Sequence, residues 1–289
     1  MLDPKRPFYT FVREERQFCA VLAHLLMQKG PNLGAFLNVV NARTGSSYPT
    51  EYLDEAEIYL EFAFLRDAWE LLNAPLSHPG VRRTVGALAS INQAKHTRIR
   101  LLLDRSGLTD FDIPSAADPA TFNERFMGRA GRSVKHDISS PGRWSIPAML
   151  KHVNGGKDVP FGVIEALAKL KWCFNIKPDL VLMLPGQPVL CVEAKLESGE
   201  GTYPSGDDAE ALRRAFPTYK KPWRQFDIQA HLFGKLLAVS HTQIVVSRSA
   251  ARPEDLTWAQ VFGAMEMESS IPFVSQLVHQ NKSLGIGGS

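Results

Sequence analysis

Three side chains in this chain have the types and spacing to do chemistry together. Asp179 precedes Glu193 by fourteen residues in the run Lys177-Pro178-Asp179-LVLMLPGQPVLCV-Glu193-Ala194-Lys195. Carboxylate oxygens are hard ligands suited to Mg2+ or Mn2+. An amine beside them can orient a water or offset charge developing on an oxyanion. The combination suits a divalent cation held next to a phosphodiester bond.

Strand pairing is what would bring the three together. Leu180 to Leu184 and Pro188 to Val192 are short apolar runs, and Pro185-Gly186-Gln187 separates them. The arrangement predicts a β-hairpin with both faces covered. Side chains alternate along a strand, so Glu193 and Lys195 leave the same face. Asp179 opens the first strand and the Glu-Ala-Lys triplet closes the second, so an antiparallel hairpin sets all three at one end of an apolar sheet. Carboxylates placed there need a partner.

This pattern resembles the PD-(D/E)xK nuclease superfamily: Pro178-Asp179, a short hairpin, then Glu193-x-Lys195. Asp3-Pro4-Lys5 also satisfies the (D/E)xK spacing, but sits in a charged tail without flanking strands. The resemblance implies an α/β fold with a restriction-endonuclease-like αβββαβ core. It further implies that Asp179, Glu193 and the Ala194 carbonyl hold Mg2+ or Mn2+. Lys195 would then serve the attacking water, and hydrolysis would leave a 5′-phosphate and a 3′-hydroxyl. Such enzymes usually carry a further acid on the first helix, and two residues compete for that place. Glu15 shares a helical stripe with Phe11, Phe18, Leu22 and Leu25; Glu165 is nearer the hairpin, in Phe161 to Leu170. The Glu15 stripe is the cleaner, which favours it. Paired instead with Arg16 or Lys169, either acid would be an ordinary helix-surface carboxylate. Pro222 to Leu237 has helical periodicity, and His241 to Ser247 reads as the next strand. Gln225 or Gln229 on that helix is a secondary catalytic candidate, or a solvent-facing amide.

Composition and charge fit a cytoplasmic protein. The chain has 289 residues and 44% hydrophobic content, enough for one large core or two modest ones. It shows no secretory h-region and no bilayer-length apolar run, which argues against a membrane partner. Cys19, Cys173 and Cys191 are isolated within apolar runs and read as small core residues. The eight histidines show no metal-ligand spacing. A net charge of +3 says little, but its distribution says more. Arg125, Arg129, Arg132, Lys135, Arg143, Lys151 and Lys157 share a stretch in which Asp137 is the single acid. Arg213, Arg214, Lys220, Lys221 and Arg224 interleave with Phe216, Tyr219 and Trp223. Cations can follow a phosphate backbone and aromatic faces can stack on unpaired bases; the alternative is a solvated surface.

Between the first helix and the hairpin, Tyr52 to Leu72 and Val81 to Leu103 read as helices. Leu108 to Ala120 reads as a connector, and Asn154-Gly155-Gly156 as a seam. The expected organisation is a first helix over 1–30 belonging to the nuclease core, a mainly helical insertion or accessory domain over 31–157, and the nuclease core over 158–289. The leading functional expectation is a Mg2+-dependent DNA endonuclease, with restriction, repair or anti-phage defence suggested by fold-level analogy alone. An RNA or single-strand nuclease on the same site, and a non-catalytic nucleic-acid-binding module, are the alternatives. The helical region could also carry a homodimer or partner contact.

Overall fold

A computed structural model describes residues 15–51, 53–74, 85–153, 158–196 and 201–266. The chain divides into two units, residues 1–62 with 177–199 and 239–289, and residues 63–176 with 200–238.

The first unit is built on a five-stranded mixed sheet of order β1-β2-β3-β6-β7. These strands are β1 (Glu57–Leu60), β2 (Leu180–Met183), β3 (Val189–Ala194), β6 (His241–Ser247) and β7 (Leu256–Thr257). β1 with β2 and β2 with β3 are antiparallel; β3 with β6 and β6 with β7 are parallel. The expected hairpin is present: Leu180 pairs with Val192 and Leu182 with Leu190, and Gly186 takes a positive φ in the turn. Alternation sends Leu180, Leu182, Leu190, Val192 and Ala194 into one apolar core. That core is filled by α1 (Glu15–Met27) through Phe18, Leu22, Leu25 and Leu26, and by α2 (Pro31–Thr44) through Leu33, Phe36, Leu37 and Val40. Val181, Cys191 and Glu193 alternate to the opposite face and are buried too. Both faces of the hairpin are thus covered, as its continuous apolarity predicts.

The second unit is mainly helical. It contains α3 (Phe64–Leu71), α4 (Val85–Arg105), α5 (Pro119–Met127), α6 (Ile146–His152), α7 (Phe161–Cys173), α8 (Gly206–Ala215) and α9 (Gln225–Ala230). Trp69, Ile99, Phe122, Phe126, Trp144, Leu167 and Phe233 are buried there, with Phe126 stacked on Trp144 at 4.3 Å. Asn92 and Asn123 clamp the chain from Val134 to Ser139 by side-chain bonds to its backbone. Fully buried Lys95 reaches Asp137 at 2.5 Å and lies over Trp69.

Three expectations need correction. The stretch from 52 to 72 is not one helix: Glu57–Leu60 pairs with the free edge of β2, Glu61 turns the chain at φ 49°, and α3 starts only at Phe64. Cross-strand pairing overrides helical spacing here. The helix expected from Pro222 begins at Gln225, because the Asp227 carboxylate accepts from the Arg224 N–H and Trp223–Arg224 pairs as β5 with Thr202–Tyr203, β4. It then widens into a π-helical turn over His231–Leu236. The boundaries expected after 30 and 157 are displaced, since α2 and β1 pack with the sheet while α7 and α9 belong to the helical unit. The second helix starts at Val85, so residues 81–84 of that expectation, like Asp3-Pro4-Lys5 and Asn154-Gly155-Gly156, lie outside the described residues.

Candidate active site

The hairpin register brings the two acids together. Leu180 faces Val192, so continuing one residue sets Asp179 opposite Glu193. Directly opposed residues share a face. The Ala194 N–H donates to Asp179 Oδ2 at 2.9 Å, holding that carboxylate against the end of β3. Glu193 is 3% exposed in its side chain, and Lys195 Nζ reaches its Oε1 at 2.7 Å. Lys195 is itself fixed from both sides of its backbone: its N–H donates to the Val246 carbonyl and its carbonyl accepts from the Trp258 indole N–H at 3.1 Å. Trp258 opens α10 (Trp258–Gly263), is fully buried, and packs on Phe18 of α1. The helix after β7 thereby determines where Lys195 stands. Trp258 carries no catalytic signature, and nothing in its sequence neighbourhood points to this contact.

Glu15 opens α1, but its side chain lies outside the described residues. Its neighbour Arg16 places that first turn: Arg16 Nε lies 3.2 Å from Glu61 Oε1, at the end of β1. Glu61 Oε2 also meets Lys177 Nζ at 3.4 Å. The Glu61 N–H donates to the Asp179 carbonyl and the Phe62 N–H to that of Pro178, both at 2.9 Å. The start of α1 and the entry to β2 therefore meet at the end of the sheet that carries Asp179. Glu61 escaped the sequence reading because it follows a strand that reads as helix.

The remaining site candidates belong to the helical unit. Glu165 pairs with Lys169 at 2.8 Å, one helical turn away. Gln225 and Gln229 are both buried on α9, which excludes the solvent-facing alternative. Arg129, Arg132 and Lys135 are exposed on and after a 3-10 turn, with Arg132 bonded to Glu124. Arg213, Arg214, Lys220, Lys221 and Arg224 are exposed as well; Arg214 pairs with Glu210 and Arg224 approaches Asp227. The aromatic residues between them turn inward. Phe161 packs on Phe216 and Tyr219, Tyr219 on Trp223, and Lys169 lies over the Trp223 ring.

As a metal site, the residues present fit a hard divalent ion. Asp179, just before β2, and Glu193, on β3, stand opposite each other as hard oxygen donors, and the Lys195 ammonium already lies beside the almost fully buried Glu193. Among the described residues no three His, Cys, Asp or Glu side chains gather as a metal cage. Mg2+ is commonly held by one or two carboxylates with waters completing its shell. Burial, and then the Glu193 charge, push the Cys191 thiol up, so this neighbouring sulfur stays protonated. No helix among the described residues is long and apolar enough to cross a membrane. No family model, curated protein or solved structure matches the chain.

Proposed function

We propose that the chain is a metal-dependent nuclease of the PD-(D/E)xK kind, acting on duplex DNA. The observation that carries this reading is the convergence of Asp179 and buried Glu193 at one end of the β2–β3 hairpin, with Lys195 Nζ 2.7 Å from Glu193. The topology supports it. In chain order α1 and α2 precede β1, and five α-helices among the described residues stand between β1 and the β2–β3 hairpin. β6 joins parallel to β3 after α8 and α9, an order compatible with an αβββαβ core interrupted by the helical unit. Asp179 and Glu193, with the Ala194 carbonyl, would hold Mg2+ or Mn2+. An ion held by these residues would supply a more acidic coordinated water and positive charge beside the scissile phosphate. Lys195, held by Val246 and Trp258, orients the attacking water and donates to the phosphate oxygens as charge builds. Glu193 Oε1, 2.7 Å from Nζ, holds the Lys195 ammonium at the end of β3.

Duplex DNA takes precedence over RNA or single strands because Phe216, Tyr219 and Trp223 are engaged with one another and with Phe161. The exposed cations Arg213, Lys220 and Lys221 remain to meet phosphates. A second reading rests on the Glu193–Lys195 contact itself: a closed ion pair would suit a non-catalytic binding module on the same fold. Cleavage assays on duplex DNA, single-stranded DNA and RNA in Mg2+, Mn2+ or EDTA decide between them. Cutting of duplex that needs metal supports the nuclease. Binding without cutting supports the module, and cutting confined to RNA or single strands moves the substrate.

A further inference from the structure

Resting on the nuclease reading, we infer that Lys177 and Arg16, gathered by Glu61, form a seat for a backbone phosphate beside the scissile one. Both cations lie on one carboxylate, Arg16 Nε at 3.2 Å and Lys177 Nζ at 3.4 Å. The cluster carries one net positive charge. Each cation keeps donors to spare: an ammonium has three and a guanidinium five. The side chains are 75% exposed for Arg16 and 35% for Lys177, so an incoming anion can reach them.

Position gives the cluster its role. Lys177 stands two residues before Asp179, so their Cα atoms are no more than about 7 Å apart. Successive phosphates on one strand advance about 3.4 Å along the duplex axis. A strand with one phosphate at Asp179, Glu193 and Lys195 therefore brings a neighbouring phosphate within reach of Lys177. The backbone at the cluster is held in an uncommon shape. Glu61 is a non-glycine residue at φ 49°, fixed there by its N–H bond to the Asp179 carbonyl. That turn aims the Glu61 carboxylate at both cations and ties them to the entry of β2. A glutamate at this place orients the two cations while leaving an excess charge for the phosphate.

The test is binding of a 30-base-pair duplex, followed by fluorescence anisotropy in EDTA across a salt series, so that no cleavage enters. Lys177→Gln and Arg16→Gln should each weaken binding roughly three- to tenfold, and the double variant, which loses the single phosphate contact, should reduce the salt slope by about one. Lys177→Arg should restore near-wild-type binding. Lys29→Gln serves as the equal-charge control, since Lys29 is exposed just past the far end of α1, about 20 Å along the helix from Arg16; its slope should not change. Affinity and slope unchanged in the double variant, or an equal loss in Lys29→Gln, overturn the seat. A wild type that binds but never cuts duplex with metal overturns the nuclease reading while this binding series still reports on the seat. A wild type that does not bind duplex overturns both.

Discussion

Lys195 makes the sharpest demand on a single side chain. Its ammonium touches Glu193 while its backbone is anchored independently by Val246 and Trp258, so truncation should keep the local main chain in place but cost stability by leaving buried Glu193 without that cation. Lys195→Ala is expected to lower single-turnover cleavage by about 10²- to 10⁴-fold with little change in duplex affinity. Unchanged cleavage would remove Lys195 from the chemistry. His231 sets a second expectation at this scale. Burial first, then the Lys169 and Lys235 charges, push its pKa down to about 4. The unfolded chain takes up that proton near pH 6.5, so the contribution is complete above 6.5 and is lost as pH falls toward 4. The helical unit should lose on the order of 2 kcal/mol over that window, allowing for the partial exposure of the ring. Urea melts of wild type and His231→Gln at pH 7 and pH 5 check this, the variant showing the flatter dependence. The hairpin that sets Asp179 opposite Glu193 was legible in the sequence because it is a local event. Glu61 and Trp258 were not, because each reaches the site through a pairing more than sixty residues away along the chain.

Elements were legible where the pattern and the pairing agree. The hairpin and the strand over His241–Ser247 formed where alternation, turn residues and apolar content coincide. The segment before α3 misled because apolar residues at helical spacing also fit a strand, and the open edge of β2 decided in favour of pairing. Close packing between elements yields a stability prediction. A Cβ at Gly131 would stand 2.2 Å from the Asn123 carbonyl oxygen, a backbone atom that cannot swing aside. Gly131→Ala should destabilise the helical unit by about 2–4 kcal/mol. Gly162 in α7 has no neighbour within 4 Å of a built Cβ, so Gly162→Ala should be neutral or stabilising by up to about 1 kcal/mol. Denaturant melts of the two variants compare them directly, and equal effects would contradict the packing described for the 128–133 turn.

At the scale of the whole molecule, the sheet unit is interrupted twice, by residues 63–176 and again by 200–238. A single helical insertion or accessory domain over 31–157 was the natural expectation from sequence, because the second excursion, between β3 and β6, occupies the place where the expected αβββαβ core calls for a helix. α2 is tied to the segment past α10 by long-range contacts such as the Asn32 bond to the Glu266 carbonyl, which no local pattern announces. The same distances make the candidate site a property of the folded chain: Arg16, Glu61, Asp179, Glu193 and Trp258 span nearly its full length. A cation bound there would stabilise the native state by RT ln(1 + L/Kd), where L is the free ion concentration, so the gain rises with that concentration relative to Kd. Calorimetric titration of Mn2+ into wild type, Asp179→Asn and Glu193→Gln is the most direct test. Saturable binding in the wild type, weakened at least tenfold in both variants while their thermal melts stay cooperative, is the predicted result. Equal Mn2+ binding in all three proteins, or none in the wild type, would contradict it.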